Sequence, residues 1–202
     1  EILIFTKNTV IMFSKCLVLI LAGLFFSCQN PGANQGNFPP LPIDEVQEHQ
    51  LFDRLSGSLF PNATDPAVQA QNELINYALD NKLDVHATGS GLYVWVIDPG
   101  TGTPITSSST VKADYIGRLL DGTIFDSSFS RGKPIEFRVG QMIQGWNEGI
   151  TMLRKGGRAV LLIPPALAYG ADGIKDRQGR VVVPANAVLR FDLLVLPDEE
   201  SR

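Results

Sequence analysis
Apolar positions along this chain change period twice. Between residues 66 and 82, Ala67, Ala70, Leu74, Tyr77 and Ala78 recur at steps of three and four. That spacing puts one apolar stripe on a helix. Asp65-Pro66 supplies a side-chain cap and a proline at the first helical position. Residues 43–60 carry a weaker version, with Val46, Leu51, Leu55 and Leu59 in partial helical spacing, broken by Ser56-Gly57-Ser58 and Pro61. From Gly91 the pattern turns to β-formers. Runs at 92–97, 111–119, 135–139, 158–163 and 188–196 predict five strands. Asp98-Pro99-Gly100-Thr101-Gly102 is a turn cluster, and Leu120-Asp121-Gly122-Thr123 is a hairpin turn with Asp-Gly at its centre. Trp146, Ile150 and Leu153 fall at i, i+4 and i+7, one face of a short helix. The predicted fold is α+β: an antiparallel sheet of five to six strands curled around one short helix, with a helical extension before it. There is no internal repeat, so 89–198 reads as one domain and 43–88 as an acidic helical extension, packed on that domain or pairing two chains.

The N-terminal pattern is different again. Met12 is the first methionine, and the residues before it read as upstream of the true start. Lys15 precedes an apolar run from Leu17 to Phe26, which ends in Ser27-Cys28. A membrane-spanning helix needs about twenty apolar residues. The shorter run matches the apolar region of a secretory signal. Ser27-Cys28 resembles a bacterial lipobox, so residues 1–28 are expected to be a signal segment with lipidation at Cys28. An ordinary cleaved signal and a retained anchor are the alternatives. Residues 29–42, rich in Asn, Gly and Pro, read as a flexible tether. The resulting expectation is a domain held by lipid on the periplasmic face of a bacterial outer membrane.

Charge refines this picture. Across 202 residues the net charge is −4, with 44% apolar and 19% charged residues. Residues 41–100 hold nine acids and two bases, whereas 101–202 hold eleven acids and thirteen bases. No clustered basic face marks a nucleic-acid partner. The only cysteines, Cys16 and Cys28, lie in the signal region and cannot build a metal site. His49 and His86 have no clear partner ligands and read as surface residues, so no metal is expected.

The candidate chemistry lies between Asp114 and Trp146. Aromatic and aliphatic residues there stand beside single polar groups, and some follow turns: Asp114-Tyr115-Ile116-Gly117, Phe125-Asp126-Ser127-Ser128, Pro134-Ile135-Glu136-Phe137, and Gly140-Gln141-Met142-Ile143-Gln144-Gly145-Trp146. A compact β core is one reading. An apolar pocket with a few oriented polar groups is the other. Later in the chain come Ala168-Tyr169-Gly170 and Val183-Pro184-Ala185-Asn186-Ala187.

Phe125-Asp126-Ser127-Ser128, Val139-Gly140-Gln141 with Met142 to Trp146, Ala168-Tyr169-Gly170 and Val183 to Ala187 resemble the FKBP-type peptidyl-prolyl cis-trans isomerases in order and spacing. The resemblance runs from about Ser90 to Pro197. It implies an α+β half-barrel and an isomerase that acts on proline-containing polypeptides without a cofactor. It also implies assistance to the folding of exported proteins, and a pocket that macrolide inhibitors could enter. By the resemblance, Trp146 is the floor under the proline ring. Tyr115, Phe125, Ile143 and Phe191 are walls, Ile135 and Met142 contact substrate, and Val183 lines the rim. Tyr169 offers its hydroxyl to a substrate carbonyl, Asp126 sets local polarity, and the Ile143 backbone N–H binds a second carbonyl. Asp126, Tyr169 and Trp146 are thus the candidate catalytic residues. The residues alone leave other roles open: Trp146 as core, Asp126 as cap of the Ser127-Ser128 turn, Tyr169 as a surface tyrosine. Ile135 stands where many members have an aromatic, and Ala185 where many have a second proline. A binding module with little turnover is the competing function; the acidic extension as the functional part is a third. The loop from Tyr169 to Phe191 is longer than in minimal members, with Ile174 to Arg180 extra. Its Lys175, Arg177 and Arg180 suggest a basic tip, and Val181-Val182-Val183-Pro184 an apolar inner edge of a flap over the pocket.

Overall fold
The structure, a computed structural model, describes residues 43–198. The expected signal segment, Cys28 and the tether lie outside the described residues. Two helices come first, α1 (Glu45–Ser56) and α2 (Pro66–Asp80). Asp44 and Gln47 form a reciprocal capping box on α1, which is why a helix with few apolar residues still starts cleanly. Asp65 accepts the N–H groups of Ala67 and Val68 at the start of α2, as Asp65-Pro66 predicts. None of the described helices is long and apolar enough to cross a membrane.

The rest is β1 (His86–Ala87), β2 (Tyr93–Asp98), β3 (Thr110–Leu119), β4 (Ile124–Ser127), β5 (Ile135–Arg138), α3 (Gln144–Ile150), β6 (Arg158–Ile163), a 3-10 turn (Pro165–Leu167), β7 (Ile174–Lys175), β8 (Val181–Val183) and β9 (Leu189–Val195). The main sheet is antiparallel, in the order β1-β2-β6-β9-β3-β4, with β5 also paired to β3. All five expected strands and the short helix form. The sheet is seven-stranded because β1 and β4 join it. Neither has a readable period: β1 is two exposed residues, and β4 mixes an exposed Ile124 with a buried Ser127. Ile174–Lys175 and Val181–Val183 pair as a separate hairpin, in the stretch read as a flap.

Two apolar cores lie against this sheet. The inner one surrounds α3 and includes Val94, Tyr115, Trp146, Leu161, Phe191 and Leu193. The outer one joins Leu51, Leu55, Leu74, Ile75 and Ala78 of the two helices to Tyr93, Trp95, Val160, Leu162 and Val188. The extension therefore packs on the sheet itself. This explains the apolar runs of β6 and of the first half of β2: a strand segment buried on both faces has no solvent face to mark with polar residues.

One charged cluster accompanies the outer packing. Asp192 of β9 is buried, and it accepts from Arg118 Nε at 3.3 Å and from the Arg190 guanidinium at 2.7 Å. Arg190 also donates to the Tyr77 hydroxyl of α2 at 3.2 Å. Removing one member of a buried pair strands the other charge. Asp192→Ala should therefore destabilise the fold by roughly 3–5 kcal/mol in urea unfolding. A loss below about 1 kcal/mol, the range of exposed pairs, would show that solvent already screens the cluster.

Candidate functional site
The site forms where β3, β4, β9 and α3 meet. Gly145 and Gly149 decide how close α3 can lie. A Cβ at Gly145 would stand 2.5 Å from Ile163, and one at Gly149 would stand 2.6 Å from Leu161. Without side chains at these positions, α3 settles onto β6 and drives Trp146 into the inner core. Three aromatic rings then meet the indole nearly edge-on: Tyr115 at 4.9 Å, Phe191 at 5.3 Å and Phe137 at 5.5 Å between centroids. Phe125 meets Phe191 at 5.5 Å and 90°. Edge-to-face pairs of this kind add about 0.5–1.5 kcal/mol each beyond burial. Gly117 makes room for the last pair, since a Cβ there would lie 2.8 Å from both Phe125 and Phe191.

The aromatic floor is covered. Trp146 is 0% exposed, and Tyr115 and Phe191 are each 3% exposed. Phe125, Ile135, Met142, Ile143 and Tyr169 are half-buried and pack over this core as a rim. The Trp146 Nε1 is buried with no hydrogen-bond partner among the described residues. An unmet interior donor costs roughly 1–3 kcal/mol. Val183, expected at the rim, is instead 1% exposed and belongs to the inner core. Pairing of β8 with β7 puts Val183 opposite Ile174, in the half of the hairpin that packs on the core.

Asp126 holds the polar part of the site together. Its carboxylate accepts from the Tyr115 hydroxyl and from the Arg131 guanidinium, and also from the Ser127 N–H at 2.8 Å. The Ser127 contact is that of a turn cap, and the other two tie Asp126 to the aromatic cluster through Tyr115 and Arg131. Arg131 donates as well to the Tyr115 hydroxyl at 2.7 Å and lies 5.2 Å from that ring's centroid. Burial first, then the Asp126 hydrogen bond, pushes the Tyr115 phenol up to about 12, with Arg131 opposing. Tyr169 is also raised, by burial and then by the Asp126 charge, so its hydroxyl stays a protonated donor. Ser128, fully buried, donates to Asp114 at 2.7 Å and accepts from the Tyr115 N–H at 3.0 Å, which fixes β3 beside the β4 turn.

Three site residues escape sequence reasoning. Arg131 lies in a turn whose pairing is not marked by any spacing. Gly117 reads as a weak strand residue. Asn147 accepts from the N–H groups of Gly140 and Met142 and donates to the Met142 carbonyl at 2.6 Å, so it shapes the rim loop. An Asn in the first turn of a predicted helix was the available signal. Ile143 caps α3, which leaves its N–H outside the helical ladder and open to an external acceptor. The longer loop folds as the β7–β8 hairpin. Asp176 accepts from the Gln178 and Arg180 N–H groups and from the Arg180 side chain, so the basic tip consists of Lys175 and Arg177.

The Tyr115 value carries a sign. The folded phenol titrates near 12 and the ordinary unfolded phenol near 10. Its contribution to stability is therefore complete below pH 10 and disappears as pH rises through 12. Between these limits wild-type unfolding free energy should fall more steeply than that of Tyr115→Phe. Parallel curves would show that Tyr115 ionises as it does in the unfolded chain.

Known proteins bear directly on this arrangement. The family model for FKBP-type peptidyl-prolyl cis-trans isomerases matches residues 102–196. A probable FKBP-type peptidyl-prolyl cis-trans isomerase of Haemophilus influenzae is 42% identical over 113 residues, covering 56% of this chain and 45% of that protein. The FKBP-type 22 kDa peptidyl-prolyl cis-trans isomerase of Escherichia coli is 34% identical over 171 residues, covering 81% of this chain and 77% of the relative. The crystal structure of FkpA from Escherichia coli superposes with a TM-score of 0.56 at 33% identity, over 77% of this chain and 72% of that one. The chain spans less than half the length of several of the curated relatives it matches. The likeness reaches back through the helical extension in the two longer alignments. Together with the aromatic site at the family's motif positions, it establishes that this chain belongs to the FKBP-type peptidyl-prolyl cis-trans isomerases.

Proposed function
We propose that the chain catalyses cis-trans rotation about X-Pro bonds in exported polypeptides, and so assists their folding. The observation that carries this reading is one aromatic cluster in which Tyr115, Phe125, Trp146 and Phe191 meet, with Asp126 beside it and the protonated Tyr169 packed over it. The uncatalysed barrier, about 18–20 kcal/mol, comes from amide resonance. Catalysis of this rotation needs no nucleophile or cofactor. It needs a site that binds the twisted amide better than either planar form. Water solvates the polar planar amide more strongly than the twisted one, so an apolar pocket favours twisting. A fixed donor at the rotated carbonyl adds selectivity. Tyr169 is the donor in this reading, and the Ile143 N–H holds a second substrate carbonyl. Asp126, tied to Tyr115 and Arg131, keeps the polar edge of the pocket fixed while the amide turns. Macrolide inhibitors of the family would compete for the same apolar surface.

Tyr169→Phe removes one hydroxyl and little volume. Loss of a hydrogen bond made in the twisted state should lower kcat/KM on an X-Pro peptide about fivefold, the equivalent of roughly 1 kcal/mol. Asp126→Val should also slow turnover. Full activity in both variants would favour the alternative, a module that grips proline-containing segments with little turnover.

Attachment to the envelope is part of the same proposal. The apolar run ending in Ser27-Cys28, followed by the Asn-, Gly- and Pro-rich stretch 29–42, supports a lipid on Cys28 and a domain held off the periplasmic face of the outer membrane. In a bacterial host, labelled fatty acid should enter the wild-type protein and not Cys28→Ser. Equal labelling of both would remove the anchor from this reading.

A further inference from the structure
Behind the Tyr169 loop lies a groove of about 420 Å³ that the pocket chemistry does not use. Pro66, Ala67 and Ala70 of α2 line one wall, and Pro164, Pro165 and Ala166 line the other. Gly170 and Asn186 lie in the same lining. None of the lining side chains carries a charge, so an ionic ligand finds no counter-charge there. Its volume is in the range of ligand clefts, about 300–1,000 Å³. Pro and Ala lose almost no side-chain entropy on ordering, so such walls are already arranged for apolar contact.

The groove and the site share one loop. Tyr169 packs over the inner aromatic core, and Gly170, next in the chain, lines the groove. The Pro165 carbonyl accepts from Ala168 N–H at 3.0 Å and Gly170 N–H at 2.9 Å, while Asn186 N–H donates to the Gly170 carbonyl at 2.8 Å. One hydrogen-bonded piece of chain thus presents Tyr169 to the pocket and Pro165, Ala166 and Gly170 to the groove. The loop from Pro165 to Gly170 therefore borders both the aromatic site and the groove.

Resting on the isomerase reading, we infer that the groove is a second subsite that takes an apolar segment flanking the X-Pro bond. The extension then has a role in recognition, because α2 forms one wall. A tetrapeptide fills the pocket alone, whereas a longer chain fills both. The flank is in contact before, during and after rotation. Its binding is therefore uniform, lowering KM without raising kcat.

The test uses the full chain and steady-state isomerisation of four peptides sharing one X-Pro centre. One is a tetrapeptide. Two carry an added apolar flank, on the amino or the carboxyl side, and one carries Ser-Gly flanks. At least one apolar flank should lower KM about tenfold at constant kcat, and the Ser-Gly flanks should not. Ala67→Glu puts a charge into the groove wall at a helix start, where a carboxylate is tolerated. Ala166→Glu does the same from the opposite wall. Each should return the flanked peptide to the tetrapeptide's KM and leave tetrapeptide kinetics as in wild type. Tetrapeptide turnover with no gain from either apolar flank overturns the subsite and leaves the isomerase reading standing. A gain that survives both variants also overturns it. A wild-type chain that turns over no peptide overturns the isomerase reading itself.

Discussion
The contact on which the site depends is the close approach of α3 to β6. Gly145 and Gly149 present no side chain to Ile163 and Leu161, and only on that bare surface can a seven-residue helix lie flat against the sheet. A helix this short is unstable by itself. Burial of Trp146 and Ile150 in the curl of the sheet holds it in place. The indole is then the common neighbour of Tyr115, Phe137 and Phe191, and the walls of the pocket take their positions from it. Candidate site and core packing are the same atoms here. This is why Trp146 reads equally well as core and as floor.

The same economy governs the outer face. A curled sheet that buried only its inner side would expose Tyr93, Trp95, Val160 and Leu162 to water. Helices α1 and α2 cover them. The charged Asp192 cluster adds direction to this packing: it joins β9, whose neighbouring Phe191 faces the pocket, to Tyr77 of α2. The extension is therefore built into the sheet that forms the site. Its α2 also stands beside the loop that carries Tyr169.

Polar chemistry in the pocket is sparse and concentrated on Asp126. One carboxylate holds a turn N–H, a phenol and a guanidinium. Its charge also helps keep Tyr169 protonated. The proposed rotation, without proton transfer or nucleophile, asks for fixed dipoles around an apolar surface, and Asp126 with its partners forms such a set.

Local pattern determined much of this protein. Asp65-Pro66 and the apolar stripe after it specify α2, because capping and periodicity act within one or two turns. The runs at 111–119 and 158–163, and the Asp121-Gly122 turn, specify their strands for the same reason. The motif residues around Phe125, Trp146 and Tyr169 identify the pocket because their order and spacing are readable in one dimension. Tertiary structure alone decided the rest. β4 exists because β3 offers it a partner, although its own four residues have no period. Arg131 belongs to the site because the turn after Ser128 brings it back over Tyr115. Val183 is core because of the β7–β8 pairing. The depth of Trp146 depends on Gly145 and Gly149 meeting Ile163 and Leu161 of a strand that lies beyond a separate turn. No local pattern encodes such contacts, since each depends on where a distant segment packs.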